Sequence, residues 1–256
     1  MESRDPQRGR LSGDFEADGA SGLQVQVAWA CRILAMHGHG DLTLGHVSAR
    51  GPGDVIYMKR SGLGLNEVTP GDVLAIDLDG RKLAGQGDVH LEAALHTEAY
   101  RARPDVGAAL HSHPPYTTAL AASGAELKIL GHDSVLFHNG LGYFDATAEM
   151  ITRADQGRAV AEALGGGRAV LLQNHGVLVV GKDVPWMTYC ALTLERAVKI
   201  QSIASTLGPL RPIPPGMAEQ VFQLKFPDSL IRVYWEYLVR EARRSGNGQG
   251  MPAESA

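Results

Sequence analysis

Apolar residues recur at close to helical spacing over residues 23–36, which predicts a helix there. A second helical pattern spans 92–101, with Leu91, Ala94, Leu95 and Ala99 among strong helix formers, and Pro104 stops it. Further helices are predicted over 148–164, ended by Gly165-Gly166-Gly167, over 186–207, and through most of 221–243. A short helix over 116–122 is predicted after the Pro114-Pro115 corner. Between these lie short apolar runs that read as strands: 55–58, 73–78 closed by Asp79-Gly80, and 107–113. The runs 169–173 and 177–180 flank Asn174-His175-Gly176, a hairpin signal. Residues 45–50 read as a loop and 61–64 as a Gly-rich turn. Strands in the middle with helices before and after predict an α/β layered domain. Residues 1–21 and 245–256 are polar and are expected to be disordered tails, leaving 22–244 as one domain.

Composition narrows the class. A content of 44% hydrophobic and 20% charged residues fits one sizeable core. A net charge of -4 and a pI near 6.2 give no electrostatic case for nucleic acid or an anionic membrane surface. Cys31 and Cys190 are too few and too far apart for a disulfide framework. No signal-type apolar core and no bilayer-length apolar run is present, so a cytoplasmic location is the default expectation. Gly165-Gly166-Gly167 follows a helix rather than a strand, which argues against a phosphate loop, and no Gly-x-Ser-x-Gly elbow occurs.

The chemistry concentrates in His111-Ser112-His113-Pro114. On an extended strand, residues i and i+2 share a side, so both imidazoles project together from the strand end. His175 lies in a tight turn, where a ring can be aimed into a cleft, and Glu92 opens a helix. Three neutral imidazoles and a carboxylate suit one divalent ion, Mn, Zn, Fe or Co, with positions left for a substrate. Taken singly, each histidine is as readily a polar turn or strand-end residue.

The ordered set Glu92-x-x-x-His96-x-x-x-Tyr100, Arg103-Pro104-Asp105, His111-Ser112-His113-Pro114 and Gln173-Asn174-His175-Gly176 resembles the class II aldolase and adducin-like superfamily over about 23–207. The resemblance implies a three-layer α/β/α fold with a mostly antiparallel central sheet. It implies a homotetramer with active sites at subunit interfaces. It also implies one divalent metal per subunit on His111, His113 and His175, with Glu92 as catalytic acid/base and further metal contact. His132 falls where relatives place a residue reached from a neighbouring subunit, which makes it a secondary acid/base candidate.

The chain departs from the sugar-phosphate aldolases at their phosphate pocket. His46 in Gly45-His46-Val47-Ser48 stands where those relatives carry Asn, His90-Leu91 replaces a pair of hydroxyl residues, and only Ser61-Gly62 is kept. Leucine cannot donate to a phosphate oxygen. His46, Arg60 and His90, with Ser61 and Gly62, suit a carboxylate or phenolic oxygen, and Leu91 suits a ring. This version of the loop, with Tyr234-Trp235-x-Tyr237, resembles the branch that decarboxylates 3-hydroxy-2-methylpyridine-4,5-dicarboxylate or 3,4-dihydroxyphthalate.

The expectation is a metal-dependent, non-oxidative decarboxylase acting on a small hydroxylated aromatic carboxylate. Glu92 would be raised in pKa by burial beside Leu91 and Ala94 so that it can donate a proton. The alternatives are an aldolase or epimerase on a small hydroxy-carbonyl compound, Fe(II)-dependent oxygen chemistry, and an adducin-like binding module without catalysis. His96 is expected to orient Glu92 or to pack. His37, His39 and His138 receive no role, and Trp235 is read as core.

Overall fold

A computed structural model describes residues 20–252; the expected N-terminal tail lies almost wholly outside them, as do residues 253–256. The chain opens with α1 (Ala20–Leu34), which runs into a π-type turn (Ala35–His39) where Gly38 takes φ +91°. Four strands follow: β1 (His46–Arg50), β2 (Ile56–Lys59), β3 (Val73–Ile76) and β4 (Lys82–Ala84). Then come α2 (Ala93–Ala102), β5 (Ala108–Ser112), α3 (Pro115–Ser123), β6 (Gly142–Phe144), α4 (Ala154–Leu164), β7 (Ala169–Leu172) and β8 (Gly176–Gly181). The chain closes with α5 (Val184–Leu207), α6 (Pro215–Lys225) and α7 (Asp228–Arg244).

The strands form one sheet in the order β4-β3-β2-β1-β5-β8-β7-β6, antiparallel throughout except for the β6–β7 pair. Side-chain alternation divides its two faces. Val47, Ala49, Leu110 and Val179 pack with α1, α3, α5 and α7, whose Trp235 is buried there. Ile56, Met58, Ala109 and Leu178 pack with α2 and α4. The result is the expected three-layer α/β/α sandwich. Among the described residues no helix is long and apolar enough to cross a membrane.

Four local expectations are corrected. Residues 46–50 form the buried strand β1, not a loop, because His46, Ser48 and Arg50 alternate with Val47 and Ala49 and pair with β5 through His46↔His111 and Ser48↔Ala109. The helix expected over 148–164 begins only at Ala154, because the Gln156 side chain accepts from Thr152 and Arg153 N–H (3.1 and 3.2 Å) and caps it there. The helical stretch expected over 221–243 is two helices broken at Pro227, which has no N–H to continue the first. Residues 245–252, assigned above to a disordered tail, form turns whose Asn247 and Gln249 carbonyls accept from the Arg32 guanidinium (3.4 and 3.0 Å).

Candidate metal centre

Three central strands and two flanking segments deliver the site. β5 ends at Ser112 and carries His111 and His113 at its C-terminal end; their ring centroids are 4.8 Å apart. The β7–β8 turn holds Asn174 at φ +55° and places His175 with its ring 4.8 Å from His111 and 5.3 Å from His113. Gly176 is required beside it, since a Cβ there would stand 2.6 Å from both the His113 ring and the Ser112 carbonyl. Glu92 sits at the N-terminus of α2, with Oε2 at 3.6 Å from His111 Nε2 and Oε1 at 3.6 Å from His175 Nε2. The ligand atoms of His111, His113 and His175 all lie within 4.8 Å of one another.

The hydrogen bonds behind these rings fix their tautomers. His111 Nδ1 faces the Val177 carbonyl at 3.1 Å, and a carbonyl only accepts, so that nitrogen carries the proton. His113 Nδ1 likewise donates to the Asp41 carboxylate at 3.0 Å. Both Nε2 atoms are then bare lone pairs, yet they face each other at 3.0 Å. Two lone pairs at that distance repel unless a cation lies between them. Burial and the neighbouring His113 and His175 hold the His111 imidazole well below its ordinary pKa even though Glu92 opposes the shift, so a ring proton is not the favoured bridge. The donor set, with a carboxylate and a carbonyl behind the rings, fits a divalent ion.

Glu92 departs from expectation. Burial pushes its carboxyl up, but the neighbouring His175 and His111 rings and a hydrogen bond from the Ile151 backbone N–H (2.8 Å) together bring it down to about 2. The group is an anion and a proton acceptor, not the raised acid that burial beside Leu91 and Ala94 predicts.

The predicted substrate wall is only partly assembled. His46 is buried, its ring 4.4 Å from His90 and 5.1 Å from His111. His90 does face the cluster, but its Nε2 accepts from Lys59 Nζ at 3.2 Å, so that nitrogen is not free to donate. Burial and the Lys59 charge lower His90 to about 4. Arg60 donates from Nε to Asp72 (2.9 Å) and forms no hydrogen bond or ion pair with the histidines among the described residues. Ser61 and Gly62 form the turn after β2, with the Ser61 N–H donating to Asp88 (2.8 Å) and Gly62 at φ +81°. Leu91 is 72% exposed. His132 stands exposed on a turn and forms no hydrogen bond or ion pair with the cluster among the described residues.

Three residues at the site escaped the sequence reading. Asp41 supports His113 from 72 positions away. Lys59 is fully buried and also donates to the Gly45 carbonyl (3.1 Å). Ser48 bonds to the His96 ring (2.6 Å). Only Ser48 had a local signal, its alternation with Val47 and Ala49 on β1. His96 faces Ser48 and His46 instead of orienting Glu92. His39 bonds to Ser112, and His37 and His138 pair with Glu241 and Glu219, outside the cluster.

Comparison with known proteins follows the same lines. The sequence profile described as Class II Aldolase and Adducin N-terminal domain matches residues 25–202. A 3,4-dihydroxyphthalate decarboxylase of Rhodococcus jostii is 30% identical over 200 residues, 73% of this chain and 82% of that protein. A 4-hydroxy-3-prenylphenylpyruvate oxygenase/4-hydroxy-3-prenylbenzoate synthase of Streptomyces roseochromogenus is 33% identical, but the match covers 59% of this chain and the chain spans only 55% of that relative's length. Among solved structures, an L-fuculose 1-phosphate aldolase from Glaciozyma antarctica superposes with a TM-score of 0.82 at 23% identity, covering 96% of each chain.

Proposed function

The chain belongs to the class II aldolase and adducin family, and within it we propose a divalent-metal-dependent, non-oxidative decarboxylase of a hydroxylated aromatic or heteroaromatic carboxylate. The observation that carries this reading is the wall beside Glu92 and His111. It is built of imidazoles, His46 and His90, in place of the small hydroxyl donors that suit a phosphate. The decarboxylase name of the Rhodococcus relative supports the same choice.

His111, His113 and His175 would hold the ion, with Glu92 at its edge. A divalent cation there supplies a Lewis acid that stabilises negative charge on a substrate oxygen. Glu92 is ionised, so the proton it delivers is one it has first taken up. Its carboxylate accepts the proton of the substrate hydroxyl and returns it to the ring carbon that bears the leaving carboxylate. The carbon–carbon bond then breaks, CO2 departs, and the bonding pair stays with the ring and its oxygen. The balance closes on a phenolate product, CO2 and an ionised Glu92. His132 would serve across a subunit boundary in a homotetramer.

The test is CO2 release from a panel of dihydroxybenzoates, hydroxyphthalates and hydroxypyridine carboxylates, with Mn, Fe, Co or Zn supplied. Turnover of at least one acid without oxygen uptake is expected. Release of dihydroxyacetone phosphate from sugar phosphates, with no CO2 from the panel, would replace the reading with an aldolase.

A further inference from the structure

Behind His46 a chain of hydrogen bonds runs into the α2 layer. His46 Nδ1 lies 2.7 Å from His96 Nε2, His96 Nδ1 lies 2.6 Å from Ser48 Oγ, and Ser48 Oγ lies 2.8 Å from the Tyr100 hydroxyl. All four residues are at most 2% exposed, so water does not complete any of these bonds. Each link can run in either direction, and the two directions give opposite results at the site. If His46 Nδ1 donates, every later donor shifts one step along, and the Tyr100 hydroxyl must donate onward. No acceptor for it other than Ser48 stands among the described residues. The opposite direction gives each donor from Tyr100 to His96 an acceptor and leaves only the His46 Nε2–H, which faces the site. Tyr100 donates to Ser48, Ser48 donates to His96 Nδ1, and His96 Nε2–H donates to His46 Nδ1. The Arg50 guanidinium, 5.0 Å above the Tyr100 ring, favours the phenol as donor.

We infer that Tyr100, Ser48 and His96 act as positioning residues that fix His46 as its Nε2–H tautomer, so that it presents a hydrogen-bond donor to a substrate oxyanion. The donor atoms of His46, Glu92 and His111 lie within 4.8 Å of one another and would otherwise make a second metal set. A protonated Nε2 removes His46 from that set and leaves His111, His113 and His175 as the ring ligands. The role for a substrate oxyanion rests on the decarboxylase reading; the tautomer does not.

The experiment is a long-range 1H–15N correlation spectrum of 15N-histidine-labelled, Zn-loaded protein, with the His46 signals identified by their loss in His46→Asn. The expected wild-type pattern is a protonated Nε2 and a bare Nδ1 at His46. Ser48→Ala and Tyr100→Phe remove the directing hydroxyls, and a measurable Nδ1–H fraction at His46 is expected in each. A bare Nε2 in the wild type would overturn the inference without any variant. An unchanged His46 tautomer in both folded variants would overturn the role of Ser48 and Tyr100. Neither result depends on the substrate, so a failed CO2 screen and a failed tautomer assignment remain distinguishable.

Discussion

At the scale of single residues, the site is defined by what stands behind each ring. Asp41 accepts from His113 Nδ1 and leaves its Nε2 facing His111 Nε2, where the proposed ion would lie. Asp41→Asn keeps a hydrogen-bonding group but removes the charge. Metal affinity should fall about 10- to 100-fold, as for other carboxylates behind a ligating histidine, and competition with a chromophoric chelator measures it. Glu92→Gln keeps the shape and removes the proton acceptor. Metal should be largely retained while turnover of the responsive acid falls by about 100-fold or more. Elemental analysis with single-turnover rates checks both halves, and near-normal turnover would remove Glu92 from proton transfer. The His111–His113 pair was legible because a strand has period two. Asp41 and Lys59 were not, since each reaches the rings through a contact between distant parts of the chain. Glu92 does stand beside His111 and His175, but its charge was not legible, because its burial could be read locally and the rings and the Ile151 N–H around it could not.

At the scale of elements, the strand and helix cores were legible, and the misses fall where pattern and pairing compete. β1 carried its alternation openly, yet Gly45 and the histidine made it read as a loop. β4 and β6 are three-residue strands on the two sheet edges, too short to leave a period. The crossing of α2 and α4 matters most for the site, because Glu92 is the residue that caps the start of α2. Gly157 makes that crossing close: a Cβ there would stand 2.6 Å from the Ala94 carbonyl and 2.9 Å from Glu98 Cγ. Gly157→Ala should destabilise the protein by about 1–3 kcal/mol through overpacking, despite alanine's better helix propensity. A urea midpoint comparison checks it, and a stabilised variant would show that α2 and α4 can separate freely.

At the scale of the whole molecule, a set of buried histidines makes folding pH-dependent. Burial lowers His39 and His96 to about 3 and His90 to about 4, against about 6.5 in an unfolded chain. Between those values the unfolded chain binds protons that the folded one refuses. Stability is therefore complete above about pH 6.5 and is lost as pH falls toward 4, by up to about 1.4 kcal/mol per pH unit for each such ring. Denaturation midpoints of metal-free protein at pH 7.5, 6.5, 5.5 and 4.5 should be level at first and then drop. A level profile down to pH 5 would mean that these rings are charged in the folded state. The sheet order has a kinetic consequence as well. β1, β5 and β8 are neighbours in space, but His111 meets the Val177 carbonyl across 66 positions and His113 meets Asp41 across 72. Pairings of such long range are slow to form, so the proposed ion-binding pocket is a late product of folding. A refolding chain should gain its helical signal before it can capture an ion, and the moment of capture then serves as a clock for closure of the sheet's centre.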